Sequence, residues 1–357
     1  MRILICGYYG LGNAGDEAIL AGAVGALRRR RPDAELVVLS GDPPATHKAH
    51  GVHAEPRRHY PTLWRQIGAA DLVLEGGGGL VQDATSVQSA LYYLGILAAA
   101  RLRRTPFVVL AQGIGPLRHW LTRAVTARVF RRAAAITVRD DNSAGLLVQI
   151  GLPAERITVT ADLAALVDPA PAEDVAHWLP PREGGPRVGL ALREAEGAEA
   201  ALTGALEAAK QFRERHGAQI VPLALHAKED TQLASQAAET LGARPVGVDR
   251  ELSPAQWVGL VRSLDFVIAM RLHACIFAAA QSVPFVALSY DPKVAAFASG
   301  AHALWAPLEA DLEEVLHLID RAWSERETGA PARAAFADEL RAQAERNLDI
   351  VEACLTP

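Results

Sequence analysis

Charged side chains stand at the points where short apolar runs of the sequence end. Arg271 and His273 come just after the apolar run 266–269, while Arg139 and Lys293 follow two other such runs. An arginine fork binds a carboxylate or phosphate at two points, and a histidine transfers protons near neutral pH. These residue types predict a site for a small anion with a proton donor beside it.

Each of these residues also has a plainer structural interpretation. His273 alone is compatible with a structural role, Arg139 with an ion pair to Asp140 or Asp141, and Lys293 with the cap of a loop. Two further residues at the ends of apolar runs, Arg193 and His226, are second-rank candidates for the same site.

The segment 7–17 after the first apolar run contains a GxGxxG pattern, with Gly10, Gly12 and Gly15. This pattern is typical of dinucleotide sites. However, Asp16 and Glu17 fall in the first turn of the following helix, where their charges would repel a pyrophosphate. NAD or FAD binding is therefore disfavoured, and two interpretations stay open. The glycines allow a tight turn capped by the acidic pair, or the loop binds the hydroxyls of a sugar-like acceptor through Asn13, Asp16 and Glu17.

A run of four glycines follows another apolar run. Each glycine in a fixed conformation costs about 1 kcal/mol relative to alanine, so such a run indicates that something must approach the backbone closely. A ligand at the backbone N–H groups and a loop squeezed between domains both fit. The run consists of Gly76, Gly77, Gly78 and Gly79.

The elements that position these residues alternate between short apolar strands and longer helices. This alternation predicts parallel sheets with helices on both faces. The predicted strands are 2–6, 35–39, 71–75, 106–111, 135–138 and 157–159, followed after a break by 187–192, 219–224, 244–246, 266–269 and 284–288. We therefore expect an α/β protein with two Rossmann-like, doubly wound domains facing a cleft.

The break between the two series, residues 168–186, is rich in proline and indicates a linker. The expected domains are 1–170 and 171–331, with a helix over 332–355 packing back onto the first domain. In such sheets ligands bind beyond the carboxyl ends of the strands, where the charged residues and glycines gather.

Composition excludes several classes of protein for this chain of 357 residues. Its three cysteines lack a CxxC pair and its net charge is −5, which argues against a disulfide scaffold, a zinc ribbon and a nucleic-acid binder. No apolar run reaches the roughly 20 residues of a spanning helix. We expect a cytoplasmic protein, at most peripheral to the inner face of the membrane.

The charge is distributed unevenly along the chain. Residues 1–167 carry 19 Lys and Arg against 13 Asp and Glu, whereas residues 168–357 carry 17 against 28. A basic first half predicts an anionic partner such as a phosphate, a diphosphate or an acidic membrane surface, and an uneven solvated surface is the alternative.

Several blocks, in order over about residues 3–295, resemble the polysaccharide pyruvyl transferase family, especially bacterial members that modify cell-wall polysaccharides anchoring surface-layer proteins. The blocks are residues 7–17, Gly76–Gly79 with Gln82 and Asp83, residues 112–116, residues 137–140, residues 271–273 and residues 290–293.

The resemblance implies a glycosyltransferase-B-like fold and transfer of the pyruvyl group of phosphoenolpyruvate onto two hydroxyls of a sugar, as a cyclic ketal, with release of phosphate. It implies an N-acetylmannosamine-containing acceptor linked to a lipid diphosphate. Arg139, Arg271, His273 and Lys293 would be the donor-site residues, with His273 as the general acid.

The first expected domain, 1–170, would lie on the acceptor side and the second, 171–331, on the donor side. Asp16 or Glu17 would orient or deprotonate the attacking hydroxyl from across the cleft. No step of this chemistry requires a nucleotide or a redox cofactor, and no dedicated metal site is expected. Two alternatives stay open from the sequence: a nucleotide-sugar-dependent glycosyltransferase, and a non-catalytic protein that binds sugar or phosphate. The basic first domain, with Arg57, Arg58, Arg101, Arg103 and Arg104, is expected to meet the membrane that carries a lipid-linked acceptor.

Overall fold

The computed structural model describes residues 1–84, 86–182, 185–195 and 197–355. The chain divides into two compact units. Unit 1 comprises residues 1–11, 16–166 and 341 onwards, and unit 2 comprises residues 12–15 and 167–340. The proline-rich segment 168–186 therefore falls within unit 2.

Unit 1 is built on a parallel sheet of seven strands in the order β3-β2-β1-β4-β5-β6-β7. The strands are β1 (Arg2–Cys6), β2 (Glu35–Ser40), β3 (His53–Pro56), β4 (Leu72–Glu75), β5 (Phe107–Gln112), β6 (Ala135–Val138) and β7 (Ile157–Val159). The chain first builds outward from β1 to β3 and then returns to place β4 on the other side of β1. This reversal makes the β1/β4 junction the place where an open parallel sheet binds ligands.

Six helices cover this sheet. They are α1 (Ala14–Arg30), α2 (Pro43–His50), α3 (Tyr60–Ala69), α4 (Val87–Arg103), α5 (Trp120–Phe130) and α6 (Asp141–Gln149). Helix α1 has acidic residues in its first turn and three arginines in its last turn, which complement the helix dipole.

Unit 2 is built on a second parallel sheet, of five strands in the order β12-β11-β10-β8-β9. The strands are β8 (Arg187–Ala191), β9 (Gln219–Pro222), β10 (Phe266–Ala269), β11 (Phe285–Ser289) and β12 (Leu304–Pro307). Here the reversal falls between β8 and β10. The predicted α/β chain with two parallel sheets is confirmed.

The helices of unit 2 follow the same alternation. They are α7 (Ala172–Val175), α8 (Glu199–His216), α9 (Thr231–Leu241), α10 (Pro254–Arg262), α11 (Leu272–Ala280), α12 (Pro292–Gly300), α13 (Leu312–Ser324) and α14 (Ala330–Leu355). Helix α10 begins with a capping box in which Ser253 and Gln256 satisfy each other's backbone N–H groups.

The last helix, α14, begins in unit 2 and belongs to unit 1 from residue 341 onwards. Asn347 accepts hydrogen bonds from the hydroxyls of Thr137 (2.7 Å) and Thr160 (2.9 Å) near the carboxyl ends of β6 and β7. Glu345 pairs with Arg30 at 2.8 Å. These contacts fix the end of the chain on unit 1.

One predicted strand was wrong, and two strands of the structure were not predicted. The segment 244–246 is no strand, because Val246 makes only an isolated bridge with Leu223. Strands β3 and β12 were missed. Both are short, partly exposed edge strands; β3 has no apolar run, and the short apolar run of β12 ends at Pro307.

Candidate functional site

The first cluster of predicted residues lies in unit 1, at the β1/β4 junction. Glu17 accepts a hydrogen bond from the N–H of Gly10 (2.7 Å) with one carboxylate oxygen, while the other lies 3.1 Å from Nε2 of His50. Both oxygens of Glu17 therefore serve the loop after β1. This makes Glu17 a residue that shapes the loop, and it uses a loop N–H that a pyrophosphate would need.

The glycine run 76–79 is packed mainly against the protein itself. A Cβ placed on Gly76 would lie 2.1 Å from the hydroxyl of Tyr9, and one on Gly77 would lie 3.0 Å from the carbonyl of Ala111. Gly78 has a positive φ of 92° and faces Asp16, whose Oδ1 is 2.8 Å from the corresponding position. Only Gly79 of this run faces open space. The sequence predicted that some group approaches the backbone of this run closely. In the structure, Tyr9 and Asp16 are the main groups that do so.

Arg139 lies in the same unit, at the end of β6. Its Nη1 donates to Asp162 at 2.8 Å, and its Nε lies 3.8 Å from Asp140. Burial disfavours the charged guanidinium, but Asp162, Asp140 and Asp16 outweigh it and raise the pKa of Arg139. The sequence analysis named Asp140 or Asp141 as the ion-pair partner of Arg139 and did not identify Asp162, which is the main partner.

Unit 1 thus brings Asp16 and Arg139 into electrostatic reach of each other. Gly113 permits this arrangement, because a Cβ there would lie 2.6 Å from Nη2 of Arg139. A carboxylate and a guanidinium beside a glycine loop can orient hydroxyl groups and bind an anion.

Three further buried polar groups of unit 1 were missed from the sequence. Both carboxylate oxygens of Glu75, the hydroxyl of Tyr9 and Oε1 of Gln112 have no hydrogen-bond partner among the described residues. Burial raises the pKa of Glu75 to about 8. Gln112 Nε2 donates to the carbonyl of Gly76 at 2.9 Å, so these groups surround the Glu75–Gly76 peptide at the carboxyl end of β4. The signal that could have identified Glu75 is its position, since it is a carboxyl residue at the end of an otherwise apolar strand.

The second cluster lies in unit 2, at the β8/β10 junction. Arg271 directly precedes α11, and its Nε lies 2.9 Å and 3.1 Å from the two carboxylate oxygens of Asp230. Nη2 of Arg271 donates to Glu229 at 2.9 Å. The Arg271 fork is therefore already oriented by two carboxylates, Asp230 and Glu229, that follow β9.

His273 is the second residue of α11 and lies against the glycine loop. A Cβ on Gly15 would fall 2.0 Å from Nδ1 of His273, so only glycine leaves room for the imidazole in this position. Asn13, predicted as an acceptor residue, accepts a hydrogen bond from Gly15 N–H (3.0 Å) and forms an antiparallel bridge with His226. Residues 12–15 thus join the cluster of unit 2.

The second-rank residue Arg193 belongs to the same cluster. Its Nη1 donates to the hydroxyl of Tyr290 at 3.1 Å, and its guanidinium stacks on that ring at 5.0 Å. Its Nη2 lies 3.5 Å from Oε2 of Glu229. One carboxylate oxygen of Glu229 is therefore held by both Arg193 and Arg271.

His226 and Lys293 complete this edge of the sheet. Burial lowers the pKa of His226 more than the Glu229 carboxylate raises it, and Arg271 lowers it further. His226 is therefore a neutral imidazole near neutral pH. Lys293 pairs with Asp291 through its ammonium group (3.0 Å) at the start of α12, and its side chain is more exposed than those of Arg139 and Arg271.

No three His, Cys, Asp or Glu side chains within the described ranges form a group able to hold a metal ion. A search of the described helices also finds none that combines the length and apolar character needed to span a membrane.

The family model for polysaccharide pyruvyl transferase matches residues 13–292. The chain belongs to the polysaccharide pyruvyl transferase family. Most residues of both clusters lie within the matched region, and Tyr9, Gly10 and Lys293 fall just outside it. Membership of this family makes the chain a pyruvyltransferase of polysaccharide biosynthesis.

A curated relative of this pyruvyltransferase is the amylovoran biosynthesis protein AmsJ of Erwinia amylovora. The two sequences are 22% identical over 82% of this chain and 84% of AmsJ. AmsJ is named for the biosynthesis of amylovoran.

Solved structures similar to this pyruvyltransferase share its fold over nearly the whole chain. S. aureus MnaA, solved with UDP, has a TM-score of 0.68 at 13% identity and covers 99% of this chain and 96% of its own. HepE of Anabaena, solved with UDP-glucose, has a TM-score of 0.64 at 16% identity and covers 99% of both chains. At these identities the likeness shows the fold alone, and that fold is glycosyltransferase-B-like.

Proposed function

We propose that this pyruvyltransferase takes its pyruvyl group from phosphoenolpyruvate and transfers it onto two hydroxyls of one sugar as a cyclic ketal. The acceptor we propose is a lipid-linked cell-wall polysaccharide precursor containing N-acetylmannosamine, as the family resemblance implies. Phosphoenolpyruvate carries a carboxylate and a phosphate, so its site needs several cations and a proton donor.

The observation that carries this proposal is the position of Glu229. Its Oε2 lies 2.9 Å from Arg271 Nη2 and 3.5 Å from Arg193 Nη2. A carboxylate oxygen held between two guanidiniums marks a position that suits a donor carboxylate or phosphate oxygen. The side chain of Glu229 is 48% exposed, whereas that of Arg271 is only 8% exposed. Glu229 is therefore the partner that a donor anion would displace, while buried Asp230 keeps the Arg271 fork oriented.

His273 supplies the proton in this proposal. One sugar hydroxyl oxygen bonds to C2 of phosphoenolpyruvate while the imidazolium donates a proton to the methylene carbon, which becomes the methyl group. The second hydroxyl oxygen then bonds to C2 as the C2–O bond to phosphate breaks. Of the two hydroxyl protons, one restores the imidazolium and the other leaves with phosphate. All atoms and electrons come from the two substrates, so the reaction needs no redox cofactor.

Unit 1 contributes two residues to the proposal. Asp16, which lies against Gly78, orients or deprotonates an acceptor hydroxyl. Arg139 is assigned to the donor by the family resemblance, and Lys293 of unit 2 adds an ammonium group for the same anion. The resemblance alone supports these last two assignments.

The test is phosphate release by the purified protein with phosphoenolpyruvate and a panel of sugars and lipid-linked disaccharides. We expect release that requires both phosphoenolpyruvate and an acceptor with two suitably placed hydroxyls. Turnover of a nucleotide sugar without turnover of phosphoenolpyruvate would instead identify a glycosyltransferase and overturn the proposal.

A further inference from the structure

Three neighbouring helices of unit 1 carry an exposed apolar surface. The side chains of Trp120, Leu102, Tyr60 and Trp64 are 77%, 75%, 67% and 45% exposed, and Leu121 beside Trp120 is also exposed. They lie on α3, α4 and α5, and α4 packs against both of the other two helices. We call this surface the α3–α5 face. Of the large apolar side chains that are exposed in the described part of the chain, most lie on it.

The α3–α5 face also contains a groove. A cavity of about 610 Å³ between α3 and α4 is lined by Trp64, Leu91, Tyr92 and Gly95, among others. Gly95 meets no other atom within 4 Å of the position of a Cβ, so it leaves the groove open. Exposed apolar surface of this extent marks an interaction site.

The charges around this face select the partner. None of the residues of α3, α4 and α5 is Asp or Glu, whereas the three helices contain five arginines. Arg103 stacks on Trp64 at 5.2 Å, and exposed Arg101 and Arg104 lie at the end of α4. Arg57, expected from the sequence to face a membrane, is instead buried and stacked on Tyr92 and Tyr93.

The start of α5 is fixed in place by one buried carboxylate. Asp83 accepts hydrogen bonds from the backbone N–H groups of Arg118 (2.6 Å) and His119 (2.9 Å), and also from the hydroxyl of Thr122. These bonds hold Trp120 in its exposed position. The position of Trp120 therefore depends on Asp83, which lies in the loop before α4 and bonds to the start of α5.

We propose that the α3–α5 face docks onto an anionic lipid bilayer. Tryptophan and tyrosine have an apolar ring and a polar edge, which suits them to the headgroup level. Arg65 of α3 lies 3.8 Å from Glu55, so the exposed Arg101 and Arg104 at the end of α4 are the arginines that the proposal offers to anionic headgroups. Each contributes about 1 kcal/mol near the surface, which is about fivefold in binding. Docking of this face is a property of unit 1 that does not depend on the pyruvyl donor proposed above.

The test is sedimentation of the full-length protein with vesicles of phosphatidylglycerol and phosphatidylcholine, compared with vesicles of phosphatidylcholine alone. We expect binding to the anionic vesicles at low salt, which weakens as salt rises. The variant Arg101→Gln/Arg104→Gln should bind about 25-fold more weakly. The variant Leu102→Ser/Trp120→Ser should lose more than tenfold. Matched controls in unit 2, Arg250→Gln/Arg262→Gln and Trp305→Ser, should bind like the parent protein.

Three results would overturn the proposal: no binding to anionic vesicles at low salt, equal binding to neutral vesicles, or a dimer that dissociates on Leu102→Ser/Trp120→Ser. The last result would show that a second copy of the chain covers this face. Because the assay contains no phosphoenolpyruvate or sugar, its failure leaves the proposed reaction standing, and failure of the reaction leaves lipid binding standing.

Discussion

Replacing Glu75 with glutamine should change how the stability of unit 1 depends on pH. Glu75 is fully buried at the carboxyl end of β4, and burial raises its pKa from an ordinary 4.5 to about 8. Between these two values the folded protein keeps the carboxyl protonated while the unfolded chain ionises it. The contribution of Glu75 to stability is therefore complete below pH 4.5 and is lost as pH rises towards 8.

The size of this loss follows from the two pKa values. Each pH unit between them is worth about 1.4 kcal/mol, so the free energy of unfolding should fall by up to about 5 kcal/mol across the window. In Glu75→Gln this fall should disappear, because an amide does not titrate. Burying the glutamine amide also changes the free energy of unfolding, by an amount that does not vary with pH. The two proteins are therefore compared by the slope of the free energy of unfolding against pH.

Urea unfolding followed by circular dichroism at pH 5, 6, 7 and 8 measures this slope for the transition of unit 1. The matched control is Glu35→Gln, which removes an exposed carboxyl from strand β2 of the same sheet and should leave the slope of the parent protein unchanged. If Glu75→Gln and the parent protein give parallel curves over this range, Glu75 is not held as a neutral acid and the reasoning from its burial fails.

Three further predictions concern the cluster of unit 2. His273→Ala should lower kcat for phosphate release by about 10²–10⁴-fold without unfolding the protein, because it removes the proposed proton donor; unchanged kcat would contradict this role. Glu229→Gln should lower the Kd for phosphoenolpyruvate about tenfold, because it removes a charge that competes with the donor for Arg193 and Arg271. Calorimetry measures this Kd, and a raised Kd would show that Glu229 supports the site instead. Gly15→Ala should lower kcat about 100-fold, because the new Cβ displaces the imidazole of His273, whereas Gly204→Ala, on the same unit and facing open space, should keep the parent kcat.

The fold could be predicted from the sequence because buried parallel strands are continuous apolar runs. Runs such as 2–6 and 266–269 carry their own signal, and the charged residues that follow them must lie at the carboxyl edge of a sheet. Strand β3 carries no such signal, and in β12 the apolar run is short and ends at a proline. The segment 244–246 shows the reverse case, because the predicted strand Arg244-Pro245-Val246 makes only one bridge.

The candidate site residues could be named from the sequence for the same reason, but the residues that orient them could not. Arg271 and Arg139 stand at strand ends, yet Asp230 and Asp162, which orient them, are distant in sequence and lie among ordinary polar segments. The assignment of residues 12–15 to unit 2 depends on hydrogen bonds to residues 225–227, more than two hundred positions away. Such pairings are decided by tertiary packing, which local patterns do not encode.

The measurement that tests the central claim most directly follows the pyruvyl carbon itself. The protein is incubated with phosphoenolpyruvate labelled with ¹³C at C2 and with a lipid-linked N-acetylmannosamine-containing disaccharide, and the purified sugar product is examined by NMR. The account predicts a labelled quaternary ketal carbon coupled to the protons on the two carbons of one sugar that carry the ketal oxygens, formed in equal amount to the released phosphate. Release of phosphate with the label recovered as free pyruvate, or no consumption of phosphoenolpyruvate with any acceptor, would contradict it.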